Sequence, residues 1–245
     1  MLQFNATLSN ELTRIFKKRK TIVFCSIDIA IIAIYVLSRG VSVTGSVTLS
    51  AMGSLLSLHG LFFMIVFPLY IFMETMDIFR GEMSNLTIRN SLLRPVSRTK
   101  LYLAKACAVC VFIFSQILFV SVSGAVASIA LGDPAGTLLY NVAAFVISFI
   151  PMIALIFFTA FVSQIVKNGL LGMLLCIFFL LISYAAEALA PMVSAFLFMR
   201  HINMHTMLLT GNIHFYGIFS AMFIIAAYIG VTFTAGALLF ERKEF

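Results

Sequence analysis

The residues equipped to do chemistry are few and scattered along the chain. His201 and His205 stand four apart after Arg200, with His214 near them in sequence, and on one helix the first two would share a face suited to a transition metal. A zinc-type site also draws on Cys, Asp or Glu, and none clusters with these histidines, so no metal site is assigned. Cys107 and Cys110 form a Cys-x-x-Cys pattern, which elsewhere does redox or metal work. Here it lies in an apolar run without Cys or His partners, and packing is the better reading. Asp28, His59, Gln116 and Glu187 are polar residues within or at the edge of apolar stretches. An ionisable group in lipid needs a partner or a proton, which makes these four the candidates for lining a transport pathway. Asp28 reads equally as a carboxylate paired with a basic residue at the inner interface. His59 and Gln116 read also as hydrogen-bonded packing residues, and Glu187 sits where headgroup water would solvate it. No nucleophile, base and metal converge, so an intramembrane enzyme has no recognisable constellation.

The elements that must position these residues follow from hydropathy. Of 245 residues 62% are hydrophobic and only 10% charged, and the mean hydropathy is +1.11. A soluble domain carries about half apolar and a quarter charged residues, so a water-facing surface cannot be built from this composition and lipid must be the solvent. A membrane-spanning helix takes about 20 mostly apolar residues. Six stretches qualify: Thr21 to Ser38, Leu55 to Met73, Leu101 to Leu131, Leu138 to Val166, Leu170 to Ala190, and Phe215 to Phe240. The expected fold is therefore all-α, a single transmembrane domain over residues 1–245. The third and fourth windows exceed a perpendicular span and are expected to tilt or to extend beyond the hydrocarbon. Cys25, Cys107, Cys110 and Cys176 all fall inside apolar stretches, so a disulfide framework is not expected.

Charge decides the orientation. Of the 16 Lys and Arg, all but Arg39 and Arg200 fall before the first window, at or near the second-to-third connection, in the fourth-to-fifth connection, or after the sixth. Lys and Arg concentrate in short cytoplasmic loops, so both termini are expected to be cytoplasmic, and the net charge of +7 reports topology rather than nucleic-acid binding. The first twenty residues are polar and basic without a cleavage pattern, so the first span is expected to stay in place. Within residues 1–20, Leu8, Leu12, Ile15 and Phe16 form one helical stripe beside basic residues, the pattern of a helix lying at the membrane surface. Lys100 and Lys105 begin the third span near the headgroups, with Ser97 as its cap. An outer segment, residues 191–214, is expected to cap the pathway with apolar residues such as Phe196, Phe198, Met207 and Leu208.

The connection from Glu74 to Lys100 is the most informative stretch. Phe79, Met83, Leu86, Asn90 and Leu93 recur at helical spacing beside Arg80, Glu82, Ser84 and Arg89, which predicts an amphipathic helix. Pro95 takes Arg94 out of helical geometry and ends it. Such a helix between two long spans either rests on the membrane surface or serves as a lever on which a partner can pull both spans together.

The run from Glu82 to Lys105, with Asn85, Thr87, Arg89-Asn90 and Ser97-Arg98, resembles the coupling-helix region of ABC-2 type permeases, in particular the Gram-positive branch of drug-efflux and peptide-antibiotic immunity transporters. Leu86 replaces the Gly usual at that place. The layout is similar too: a helix before span one, six spans, an outer segment before span six, and the tail Glu241-Arg242-Lys243-Glu244. The resemblance implies a multi-pass subunit of a bacterial plasma membrane, a dimeric permease core of identical or paralogous subunits, and two cytosolic ABC ATPases. It makes Phe79, Glu82, Met83, Leu86, Thr87, Arg89, Asn90 and Leu93 the ATPase-coupling residues, and implies an exported amphipathic cargo such as a peptide antibiotic, drug or lipid-like compound. No Gly is followed by Lys, so the chain lacks a Walker A phosphate loop. It is expected to bind no cofactor of its own, with ATP and Mg held by the partner ATPase. An ion-coupled secondary transporter is the alternative; it needs buried ionisable residues near the midplane and internal repeats, for which only Asp28 is a candidate.

Overall fold

In lipid every backbone N–H and C=O must be satisfied within its own segment, and long apolar runs therefore become helices. The computed structural model describes residues 2–40, 55–84, 97–132, 135–205 and 215–242. In chain order the helices are α1 (Leu2–Phe16), α2 (Arg19–Gly40), α3 (Leu55–Leu61), α4 (Phe67–Ser84), α5 (Arg98–Ala130), α6 (Ala135–Ile147), α7 (Phe149–Ile165), α8 (Gly169–Leu189), α9 (Pro191–Ser194) and α10 (Phe215–Arg242), with a π turn at Phe62–Val66 and a 3-10 turn at Phe198–Asn203. Six of the helical runs are long and apolar enough to cross a membrane: Arg19–Leu37, Leu58–Gly81, Arg98–Ala130, Leu139–Ile165, Gly169–Leu189 and Tyr216–Arg242. The all-α, six-span expectation holds.

The interior is built by α4, α5, α7 and α10, while α2 and α8 stand at the periphery and turn Ile22, Ile34, Leu174 and Phe178 outward. Association of helices in lipid depends on close van der Waals contact rather than on expulsion of water, and small residues supply it. Ala104, Ala108, Ala154 and Ala160 are fully buried. At Gly236 of α10 a Cβ would stand 2.8 Å from Cζ of Tyr102 in α5, so only glycine lets that ring seat between the helices. Gly132, at φ +84°, stops α5 in the left-handed conformation that L side chains rarely adopt.

Two spans are interrupted where the sequence windows ran through, and proline accounts for both. Pro68 has no N–H to give Met64 O, four residues back. The preceding turn relaxes into π geometry, Phe67 N–H reaches Phe62 O, and the stranded Met64 carbonyl accepts the Tyr184 hydroxyl of α8 at 2.7 Å. Pro151 likewise cannot bond Ile147 O, and the fourth window divides at Ser148 into α6 and α7. The second window extends the other way: its helix continues past Met73 to Ser84, so the first part of the expected Glu74 to Lys100 connection is a continuation of span two.

Candidate functional site

One end of the bundle gathers the charge. Lys18, in the turn between α1 and α2, donates to Glu74 at 2.8 Å and to Asp77 at 2.9 Å, and Lys20 pairs with Asp77 at 3.2 Å. Arg80 of α4 donates to the Gln164 carbonyl in the last turn of α7 at 3.3 Å. Arg98 at the start of α5 donates to the Glu241 carbonyl at 2.8 Å, and the Thr99 hydroxyl donates to the Glu241 carboxylate at 2.8 Å. The last carbonyls of a helix lack intrahelical donors and carry partial negative charge, so Arg80 and Arg98 complete the ends of α7 and α10. These contacts place the starts of α2 and α5 and the ends of α4, α7 and α10 together at what we call the basic end.

Helix α1 folds across this end onto α5. Its stripe of Leu8, Leu12 and Ile15 packs inward, Ile15 completely. Phe16 is partly exposed but meets Phe112 edge to face at 5.8 Å. The same covered face includes Glu11, whose carboxylate accepts from Lys105 of α5 at 3.1 Å, with Arg14 3.7 Å from its other oxygen. Lys105 therefore faces α1 rather than standing free on the surface of α5. It is fully buried, because α1 covers the first turns of α5 and supplies the carboxylate that makes burial of an ammonium tolerable. Ser97 does occupy the N-cap of α5, but its side chain makes no capping bond.

The coupling candidates divide. Phe79 is buried within α4, its ring 5.2 Å from that of Tyr102, so it packs on its own chain rather than facing outward. Glu82 and Met83 belong to the last turn of α4. Leu86, Thr87, Arg89, Asn90 and Leu93 lie outside the described residues, as do Met207, Leu208 and His214.

Of the pathway candidates, Asp28 is completely buried in α2. It accepts from the Tyr70 hydroxyl at 3.0 Å, and the Tyr70 ring stacks on Phe24 at 4.1 Å. Its partner is therefore a phenol on α4, not the basic residue that one reading supposed. Gln116 is buried beside Cys25, 3.7 Å from its sulfur. Glu187 is exposed near the end of α8.

His59 is where sequence spacing was least informative. It lies in α3 against Phe63 and Phe145; its Nε2 is 2.9 Å from Ser148 Oγ, and that oxygen is 3.1 Å from His205 Nδ1. Ser148 also donates to the Ile202 carbonyl at 3.1 Å. The hydroxyl thus lies within hydrogen-bond distance of both imidazoles, its role toward each set by that ring's tautomer, and the unwound turn between α6 and α7 becomes a clasp for the segment that follows α9. His205 thus meets His59, at 4.1 Å between ring centres, instead of sharing a face with His201, because the 3-10 turn at Phe198–Asn203 breaks the four-residue spacing. Burial holds both His201 and His205 below the ordinary imidazole range. Phe198 is buried against Phe179 and Tyr228, while Phe196 is exposed, so this segment packs into the bundle through part of its length. Among the described residues no group of three or more His, Cys, Asp or Glu is placed to hold a metal ion.

Sequence spacing did not anticipate Glu11, Lys18, Glu74, Asp77 and Ser148. The one available signal was prolines inside apolar windows, which marks Ser148 and the turn beside Tyr184 as interrupted helix. A family model described as ABC-2 family transporter protein matches residues 8–183, from within α1 to most of the way along α8. No curated protein matches the sequence.

Proposed function

The chain belongs to the ABC-2 transporter family and is the membrane-embedded permease of an ABC transporter; from that premise we propose that it works as an exporter subunit driven by two separate cytosolic ABC ATPases. Two permease subunits, identical or paralogous, enclose the path in a bacterial plasma membrane, with both termini and the basic end in the cytoplasm. The cargo is an amphipathic compound of the peptide-antibiotic, drug or lipid-like class, as in the Gram-positive efflux and immunity branch. ATP and Mg reside on the ATPases.

The observation that carries this reading is the mechanical continuity of α4. It runs without a break from the π turn to Ser84, and Lys18 locks it through Glu74 and Asp77 to the start of α2. Arg80 ties it to the end of α7. A partner that moves the segment between Ser84 and Arg98 therefore pulls on a rod already fastened to its neighbours, and a small displacement becomes a change of packing in the bundle.

The test is co-expression of the full chain with the ABC ATPase that co-purifies with it, followed by reconstitution. We expect a complex of two permeases and two ATPases whose ATP hydrolysis rises with candidate cargo. Transport by the chain alone, without ATPase or nucleotide, would sink this reading and favour an ion-coupled carrier.

A further inference from the structure

The seam between α2 and α4 encloses a carboxyl group with too few partners for a full charge. Asp28 is completely buried, about 10 Å along the helix from Thr21, where the apolar run begins. Its Oδ1 lies 3.0 Å from the Tyr70 hydroxyl, and its Oδ2 is buried without a hydrogen-bond partner. The lysines at the start of α2 are engaged elsewhere, Lys18 by Glu74 and Asp77 and Lys20 by Asp77. Among the described residues the titratable groups beside the carboxyl are Tyr70 from α4 and Cys25 from its own helix. From α5 comes only the neutral amide of Gln116, which engages the Cys25 thiol at 3.7 Å.

The Tyr70 hydroxyl adds a second constraint. It also lies 3.3 Å from the Phe24 carbonyl, so against an ionised Asp28 its single proton faces two acceptors, and Oδ2 keeps its share of the negative charge in an apolar seam, at high cost. A proton on Asp28 removes the conflict. The carboxyl O–H then donates to the phenol oxygen, the phenol O–H donates to the Phe24 carbonyl, and the remaining Oδ2 is uncharged.

We propose that Asp28 is a proton-binding site, filled while α2 packs on α4 and emptied to water when that seam opens. On emptying, the carboxyl O–H bond breaks, the proton passes to a water molecule and the carboxylate stays behind, solvated. A hard metal cation is the rival occupant, but it takes about six or more oxygen ligands, and these contacts place only the carboxylate, the Tyr70 hydroxyl and the Phe24 carbonyl together. The bound proton therefore stabilises the closed setting of α2 against α4, a setting favoured at low pH and lost as pH rises.

This inference goes beyond the ATPase partnership and is read on the permease alone, so either can fail without the other. The full chain in lipid nanodiscs is compared with its variants by infrared difference spectroscopy at pH about 7, where solvated carboxyls are ionised. The expected spectrum contains the carbonyl stretch of a protonated carboxyl, lost in Asp28→Asn and moved to higher frequency in Tyr70→Phe, which keeps the aromatic ring and gives up the hydrogen bond. Deuterium uptake by α2, corrected for intrinsic exchange rates, reads the opening. An opening that releases one proton becomes about tenfold more favourable per pH unit, so between about pH 5 and about pH 6.5, above the range of a solvated aspartate, wild-type uptake should rise more steeply than that of Asp28→Asn by about that factor. A wild-type spectrum without the band, or a band that survives Asp28→Asn, would overturn the site. A band abolished by added sodium at constant pH would assign a metal cation and overturn the proton. Equal slopes of uptake in wild type and Asp28→Asn would overturn the link to opening.

Discussion

At the scale of single residues the ion pair of Glu11 with Lys105 carries the largest consequence. A buried pair is weak support for stability as a pair, but removing one member strands the other charge, at a cost of about 3–5 kcal/mol. Glu11→Ala should therefore lower the thermal midpoint in detergent sharply, whereas Glu11→Leu with Lys105→Met, which removes both charges and keeps the volume, should recover most of it. A double variant no better than Glu11→Ala would mean the pair contributes more than mutual neutralisation. His205 offers a second measurement. Burial holds its pKa down, so the unfolded chain takes up a proton near pH about 6.5 while the folded one resists it. The stability contributed by the neutral ring is complete above that pH and declines as pH falls toward the folded pKa. The midpoint should fall between about pH 7.5 and pH 5.5, and His205→Gln should flatten that slope. A slope unchanged by the substitution would separate the His59–Ser148–His205 clasp from the acid response. Neither contact was legible in the sequence, because Glu11 and Lys105 are 94 residues apart and Ser148 and His205 are 57 apart. A charge pattern along the chain reports which side of the membrane a residue occupies and nothing about which residue faces it.

At the scale of elements, α4 is the piece on which function turns. Its ion pairs and the Phe79–Tyr102 contact fasten it internally, and Met83 and Leu86 are the first apolar positions beyond that fastening. A proline at either should interrupt transmission between the partner and the rod. The expected result for Met83→Pro or Leu86→Pro is a permease that inserts and purifies normally but no longer raises the ATPase rate of its complex. Coupling retained at the wild-type level would count against a lever at this position. The recurrence of Phe79, Met83, Leu86 and Leu93 was readable as a helical face, yet periodicity alone could not separate a face that meets a partner from one that packs on the same chain. Phe79 belongs to the second kind, since α5 lies against it.

At the scale of the whole molecule the basic end is a plate of helix ends held by side chains that complete each other's termini and charges. The far side is held by aromatic packing around Phe198 and by the clasp at Ser148. Such a body can pass a push at one end to the other through α4, α5, α7 and α10, which form its interior, while α2 and α8 present apolar faces to their surroundings. By itself the sequence determined the solvent, the helical class, the count of spans and the family, because these depend on composition and on local runs of apolar residues, which a chain carries wherever it folds. Only the tertiary structure decided that Lys105 is buried, that Asp28 answers to Tyr70, and that two spans break at Pro68 and Pro151 with Tyr184 and Ser148 meeting the interrupted turns. Those facts depend on which helices lie side by side, and in lipid that choice is made by the fit of small residues and by hydrogen bonds between spans, neither of which leaves a periodic trace along the chain.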